Sequence, residues 1–124
     1  MGKSKKRLEA DLSEAFIKFQ RELIGRGPQE AKTYIIEDMV IIRFKGVLTV
    51  EEKHLVHDEA GRRLVKKMRQ VLREMYSNDL ERIVETYTNS KVITSHSDTS
   101  TKTEERMEVF IMDQNIEKMF EGNA

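Results

Sequence analysis

The run KTYIIEDMVIIRFKGVL, residues 32–48, decides the fold. It is dense in β-branched and aromatic residues, a composition that suits a pleated, half-buried surface. In its second half Val40, Ile42 and Phe44 share one face of a strand, and Ile41, Arg43 and Lys45 share the other. Glu37-Asp38 divides the apolar residues, so we expect two strands with a turn near that pair. The turn lacks Asn-Gly chemistry, which leaves one long bent strand as the alternative.

Upstream of this run, Leu8, Leu12, Ala15, Phe16, Phe19 and Leu23 recur at helical spacing. Gly25-Arg26-Gly27-Pro28 then stops the helix, because the glycines suit left-handed conformations and Pro28 cannot continue it. Downstream, Thr49 and Glu52 form a Thr-x-x-Glu capping box that opens a long helix. Leu64, Met68, Val71 or Leu72, and Met75 mark its expected buried stripe. Gly61 sits inside it at some cost in stability, which points to close packing or a kink. Ser77-Asn78-Asp79 interrupts the pattern, and Asn78 with Glu81 signals a second cap. Leu80, Ile83, Val84 and Tyr87 continue as a shorter helix that ends at Asn89.

A second hairpin closes the chain, Val92–Asp98 against Arg106–Met112 across the polar loop TSTKTEE, residues 99–105. We expect Val109 and Ile111 in the core, so that Asp at either position would unfold the domain. The order α-ββ-αα-ββ implies a single α+β domain over residues 1–124. Its sheet would be largely antiparallel, built of two hairpins, with the helices packed on one side. Residues 1–7 read as a basic tail and residues 114–124 as a short tail in which Ile116, Met119 and Phe120 could add a helical turn.

Composition bounds the function classes. Hydrophobic residues are 38% and charged residues 35% of the 124, so the core is thin unless a second copy completes it. Seven Met against five Phe and no Trp make that core soft. The absence of cysteine removes disulfides, thiolate metal sites and thiol nucleophiles. No apolar run reaches the ~18–20 residues that span a bilayer. Gly2 begins a myristoylation-like start, but Lys6 stands where Ser or Thr is required. A cytoplasmic address, with peripheral membrane contact as an option, is the expectation. Residues 1–76 carry 17 Lys and Arg against 12 Asp and Glu, whereas residues 77–124 carry 5 against 10. Such a dipolar chain suits an antiparallel homodimer.

Three constellations could carry chemistry. In a strand Ser97 faces away from His96 and Asp98, so His96-Ser97-Asp98 is not a local triad, and no glycine-rich elbow surrounds it. His96 and Asp98 share a face about 7 Å apart and could hold a polar ligand or metal with help from elsewhere. A hydrogen-bonded strand-end histidine is the favoured reading. Glu51, His54 and His57 have the helical spacing of a metal half-site, yet no matching half exists on the first helix, and we expect no metal or cofactor. Arg62, Lys66, Arg69 and Arg73 form a basic stripe, with Arg63 and Lys67 beside it. It could meet phosphates, anionic lipid or an acidic protein, but no nucleic-acid-binding motif accompanies it, so nucleic acid is not the expected partner. A solvated helix face is favoured.

Taken in order, Gly25-Arg26-Gly27-Pro28, the hairpin after it, Gly46 with Thr49, Gly61, and His96-Ser97-Asp98 with Ser100, Thr101, Glu105 and Arg106 resemble one bacterial family. This is the Na-translocating system protein MpsC family, and the resemblance covers nearly the whole chain. It implies a cytoplasmic accessory to a cation-translocating, membrane-potential-generating system, with a membrane protein as partner. It implies no known active site. The family's loop carries a glycine where Glu104 stands, so its conformation here is in question. Two readings stand: a non-enzymatic docking or regulatory domain, which is favoured, and a small-ligand or metal-dependent catalytic domain using His96 and Asp98. For either, we expect His96, Asp98, Ser100, Thr101, Glu105 and Arg106 to gather at the hairpin end, with Arg106 neutralising a carboxylate there.

Overall fold

Ser4 accepts a hydrogen bond from the Arg7 N–H and so opens the first helix, α1, Lys5–Ile24, in a computed structural model that describes residues 4–123. The helix therefore takes in Lys5, Lys6 and Arg7 from the expected tail. Gly25, at φ 90°, ends it in the left-handed conformation that the GRGP reading requires.

Two strands follow, β1 (Glu30–Ile36) and β2 (Met39–Lys45), paired antiparallel with Tyr34 opposite Ile41. Their turn falls at Glu37-Asp38, where Glu37 takes φ 55°. Thr49 and Glu52 form the expected capping box, but the helix they open, α2 (Val50–Leu55), is short. Asp58 caps a new start, and α3 runs from Glu59 to Met75. What reads as one long helix is thus divided at residues 56–58. Then α4 (Ser77–Thr88) begins after the single residue Tyr76, with no side-chain cap, so Asn78 lies inside it rather than before it.

The second hairpin joins β3 (Val92–Ser100) to β4 (Glu105–Met112). Between the two hairpins β2 pairs with β4, giving a four-stranded antiparallel sheet of order β1-β2-β4-β3. The fold is α+β with the expected element order. A short 3-10 helix spans Glu117–Asn123, and Ile116 just before it is fully buried.

One face of the sheet is covered. Ile35, Val40, Ile42, Phe44, Phe110 and Met112 pack there against Leu8, Leu12 and Phe16 of α1 and Leu80 and Val84 of α4. The Phe16 ring sits 6.1 Å from Phe44 and 5.8 Å from Phe110. The other face is open. Val109 and Ile111 lie on it, half-buried, with Tyr34, Ile36 and Met107 exposed beside them. This corrects the expected core of β4: the buried face is Arg106, Glu108, Phe110 and Met112. Alternation groups the residues correctly, but two charged side chains stand on the inward face because Glu108 is paired by Arg73 of α3 and Arg106 by Glu108 itself.

Candidate functional site

The helix α3 is rotated from its expected orientation by roughly a third of a turn, at about 100° per residue. Of the expected buried stripe, Leu64, Met68, Val71 and Met75 are 58%, 43%, 41% and 66% exposed, while Leu72, the alternative to Val71, is half-buried. The inward side instead carries Gly61, Val65 and Arg69, with Arg73 half-buried behind them. Two members of the expected solvated stripe, Arg69 and Arg73, therefore face the sheet. Lys66 stays exposed, and Arg62 donates to the Val56 carbonyl at 3.2 Å.

What makes this orientation stable is a network of buried ion pairs. Arg69 donates from Nε and Nη2 to both oxygens of Glu52, at 2.8 and 2.5 Å, and from Nη2 to the Val47 carbonyl at 2.7 Å. Glu52 also accepts from the Thr49 N–H at 2.8 Å, so one carboxylate caps α2 and anchors α3. Arg73 donates to Glu108 at 2.8 Å, to Ser77 at 2.7 Å and to Ser95 at 3.1 Å. Ser97 donates to the second oxygen of Glu108 at 2.8 Å. On the far side of Glu108, Arg106 Nε lies 3.1 Å from the same oxygen without hydrogen-bond alignment. The Gln20 amide oxygen accepts from the terminal nitrogens of Arg106, whose guanidinium stacks 4.9 Å from the Phe44 ring centroid.

Three guanidiniums thus surround two buried carboxylates. Burial pushes the Arg106 guanidinium down to about 10; Glu108 opposes that change, while Arg69 and Arg73 add to it. Burial alone would raise the Glu52 carboxyl, but its hydrogen bonds from Arg69 and Thr49 outweigh that and hold it below the usual carboxylate range. A group lowered on folding contributes stability that is fully present above its unfolded value and is lost as pH falls through the folded value. Melting temperature should therefore be steady above about pH 4.5 and fall below it. Glu52→Gln should flatten this acid branch, and an unchanged branch in that variant would remove Glu52 as its source.

These residues frame a groove of about 530 Å³ between α3 and β3. Lys66, Arg69, Gln70, Arg73 and Glu74 of α3 form one wall. Ser77 closes the end, and Ser95, Ser97, Asp98 and Thr99 with Arg106 form the other. No carbon-only side chain lines it.

The expected hairpin-end cluster does not assemble as one group. Pairing sets His96 opposite Val109, Asp98 opposite Met107, and Ser100 opposite Glu105. His96 and Asp98 are exposed, and the nearest cation to Asp98 is Lys66 at 3.5 Å. Glu105 pairs with Arg43 at 2.6 Å, and Ser100 Oγ accepts from the Thr103 N–H at 3.2 Å within the turn that holds Thr101. Arg106 lies opposite Thr99 on the inward face, away from Glu105 and Asp98, and its carboxylate is Glu108. Glu104, where the resemblance implies a glycine, adopts φ 59°, a left-handed conformation. Its carbonyl accepts from the Val47 N–H at 3.0 Å.

His54 and His57 are exposed. Among the described residues no group of three or more His, Asp or Glu is placed to hold a metal ion, and no helix is long and apolar enough to cross a membrane. The serines of the groove bond to Glu81, Glu108 and Arg73 rather than to a histidine base. The arrangement holds charge and orients polar atoms. Gln20, Glu108 and the pairing of the capping-box residue Glu52 with Arg69 escape sequence reading, although the Arg106–Glu108 pair on one strand face, with Arg69 and Arg73 one helical turn apart, is a signal for Glu108.

A family model described as "Na+-translocating membrane potential-generating system (MpsC)" matches residues 4–114. The chain is 34% identical over 121 residues to the uncharacterized protein YbcI of Bacillus subtilis, covering 98% of each. It is 26% identical over 106 residues to the uncharacterized protein YrhF of the same organism, covering 85% of this chain and 87% of that one. No solved structure matches it.

Proposed function

The chain belongs to the MpsC family, and from that premise we propose that it is a non-enzymatic, cytoplasmic accessory domain of a cation-translocating, membrane-potential-generating system. It acts by docking, first on a second copy of itself and then, as a dimer, on a membrane-embedded partner.

The observation that carries this reading is the outward stripe of α3. Leu64, Met68, Val71 and Met75 follow one another at intervals of four, three and four, the seam spacing of paired helices. Four large apolar side chains on one exposed helix face exceed what a solvated surface needs. The flanks favour antiparallel pairing with a second α3. Arg62, Arg63, Lys66 and Lys67 lie at the start of the helix, and Glu74 with Asp79 and Glu81 of α4 lies beyond its middle. Antiparallel pairing sets the basic half of one copy against the acidic half of the other. The open sheet face is the competing surface, but Arg43 and Lys45 interrupt it.

Light scattering at micromolar concentration should give twice the 14.5 kDa chain mass. Met68→Glu should halve that mass without lowering the melting temperature of the separated chain, because Met68 touches solvent. Val109→Lys, on the open sheet face, should leave the dimer intact. A monomeric wild type, or dissociation by Val109→Lys alone, would overturn the α3 assignment.

A further inference from the structure

A buried guanidinium whose donors are not all met carries a desolvation cost that the fold has left standing. Arg69 is 5% exposed and uses Nε and Nη2, but its Nη1 is buried with no partner. Arg106, 8% exposed, leaves Nε without an aligned acceptor. Both side chains line the groove between α3 and β3, and Arg73 joins them there. Three guanidiniums over two carboxylates leave one positive charge uncompensated beneath it. At the exposed rim Lys66 pairs with Asp98 at 3.5 Å, and Glu74 is the other carboxylate of the wall. The interior thus holds one more positive than negative charge, and two of its buried donors, Arg69 Nη1 and Arg106 Nε, lack an acceptor.

We propose that this groove binds a small soluble molecule bearing a phosphate group, seated on the Arg69, Arg73 and Arg106 guanidiniums. The planar forks of Arg69 and Arg73 are already used by Glu52 and Glu108. What remains are donors arriving from two elements and several directions, Arg69 Nη1 and Arg106 Nε among them, while the Ser95 and Ser97 protons are already given to Glu81 and Glu108. A tetrahedral group with three terminal oxygens uses such a set better than a planar carboxylate with two. The groove, about 530 Å³, is larger than orthophosphate alone needs and falls in the range of metabolite sites. Its walls carry no aromatic ring to stack a base and no apolar side chain to receive an acyl chain. The rest of the ligand is therefore hydroxyl-rich, as in a sugar phosphate, and not a nucleotide or a lipid. This site does not depend on the docking reading, since the seam and the groove are on different faces of α3.

Isothermal titration at fixed ionic strength tests it, with glucose 6-phosphate, orthophosphate, glucose and citrate as probes. Glucose 6-phosphate should bind saturably, one per chain, more tightly than orthophosphate, and glucose should give no heat. Arg69 variants could simply unfold, so the variant of choice is Lys66→Glu at the exposed rim. It should keep the wild-type melting temperature and bind at least about tenfold more weakly. Lys32→Glu, on the exposed edge strand β1, should bind as wild type does. In nitrogen-labelled protein the Arg69 Nε–H resonance should move in step with saturation. No saturable binding of either phosphate probe up to roughly 10 mM, citrate binding more tightly than glucose 6-phosphate, or full affinity in Lys66→Glu would each overturn the proposal. Binding to phosphatidylglycerol vesicles with none to the soluble phosphates would overturn its assignment to a soluble ligand.

Discussion

Glu108→Ala is expected to leave the domain largely unfolded near physiological temperature. Glu108 is fully buried, receives Arg73 at 2.8 Å and Ser97 at 2.8 Å, and lies 3.1 Å from Arg106. Removing it strands two guanidiniums out of water, and breaking a buried pair from one side costs about 3–5 kcal/mol. Domains of this size hold only about 5–15 kcal/mol in total, so the loss is a large share of the whole. Chemical denaturation should show a midpoint far below wild type. The cause can be separated from lost packing. Glu108→Leu combined with Arg73→Met and Arg106→Met removes all three charges at similar volume and should recover most of the midpoint. A Glu108→Ala midpoint equal to wild type would show that the carboxylate does not lie between the two arginines.

Gly61→Ala should be the other severe substitution, against the usual sign. Alanine replacing a helical glycine ordinarily gains up to about 1 kcal/mol. Here a Cβ at position 61 would fall 1.6 Å from the Leu55 carbonyl oxygen and 2.6 Å from its carbon. Both are backbone atoms, so nothing flexible can move aside. The end of α2 would have to separate from α3, and with it Glu52 from Arg69. Overpacking of this kind costs about 3 kcal/mol or more. Ala60→Gly, one residue earlier and exposed, should cost no more than about 1 kcal/mol. Comparison of the two melting temperatures checks the close approach, and an unchanged Gly61→Ala protein would refute it.

Local features were legible in the sequence. The capping box at Thr49 and Glu52, the left-handed Gly25, the turn at Glu37-Asp38 and both hairpins depend on residues a few positions apart, and the structure has all of them. Gly61 announced close packing, and the close approach is there. Two orientations did not come through. Periodicity says which side chains share a face, not which face turns inward, and both α3 and β4 carry apolar residues on the side that ends up outside. Choosing the other side required knowing that Arg69 meets Glu52, 17 residues away, and that Arg73 meets Glu108, 35 residues away. Such pairings leave no local trace. The hairpin-end cluster fails for a different and local reason: alternation along β4 sends Glu105 and Arg106 to opposite faces.

The strand order β1-β2-β4-β3 has a kinetic consequence. Each hairpin closes over a short turn and can form within about 1–10 μs. Joining β2 to β4 instead closes a loop of roughly sixty residues, from Lys45 to Glu105, whose entropy must be lost before any contact repays it. That search contains α2, α3 and α4, which have no common surface to rest on until the two hairpins meet. The guanidinium–carboxylate bridges between α3 and the sheet are therefore among the last native contacts to form. They retain a folded molecule rather than guide a folding one, and their strength is spent on slowing its escape from the native state.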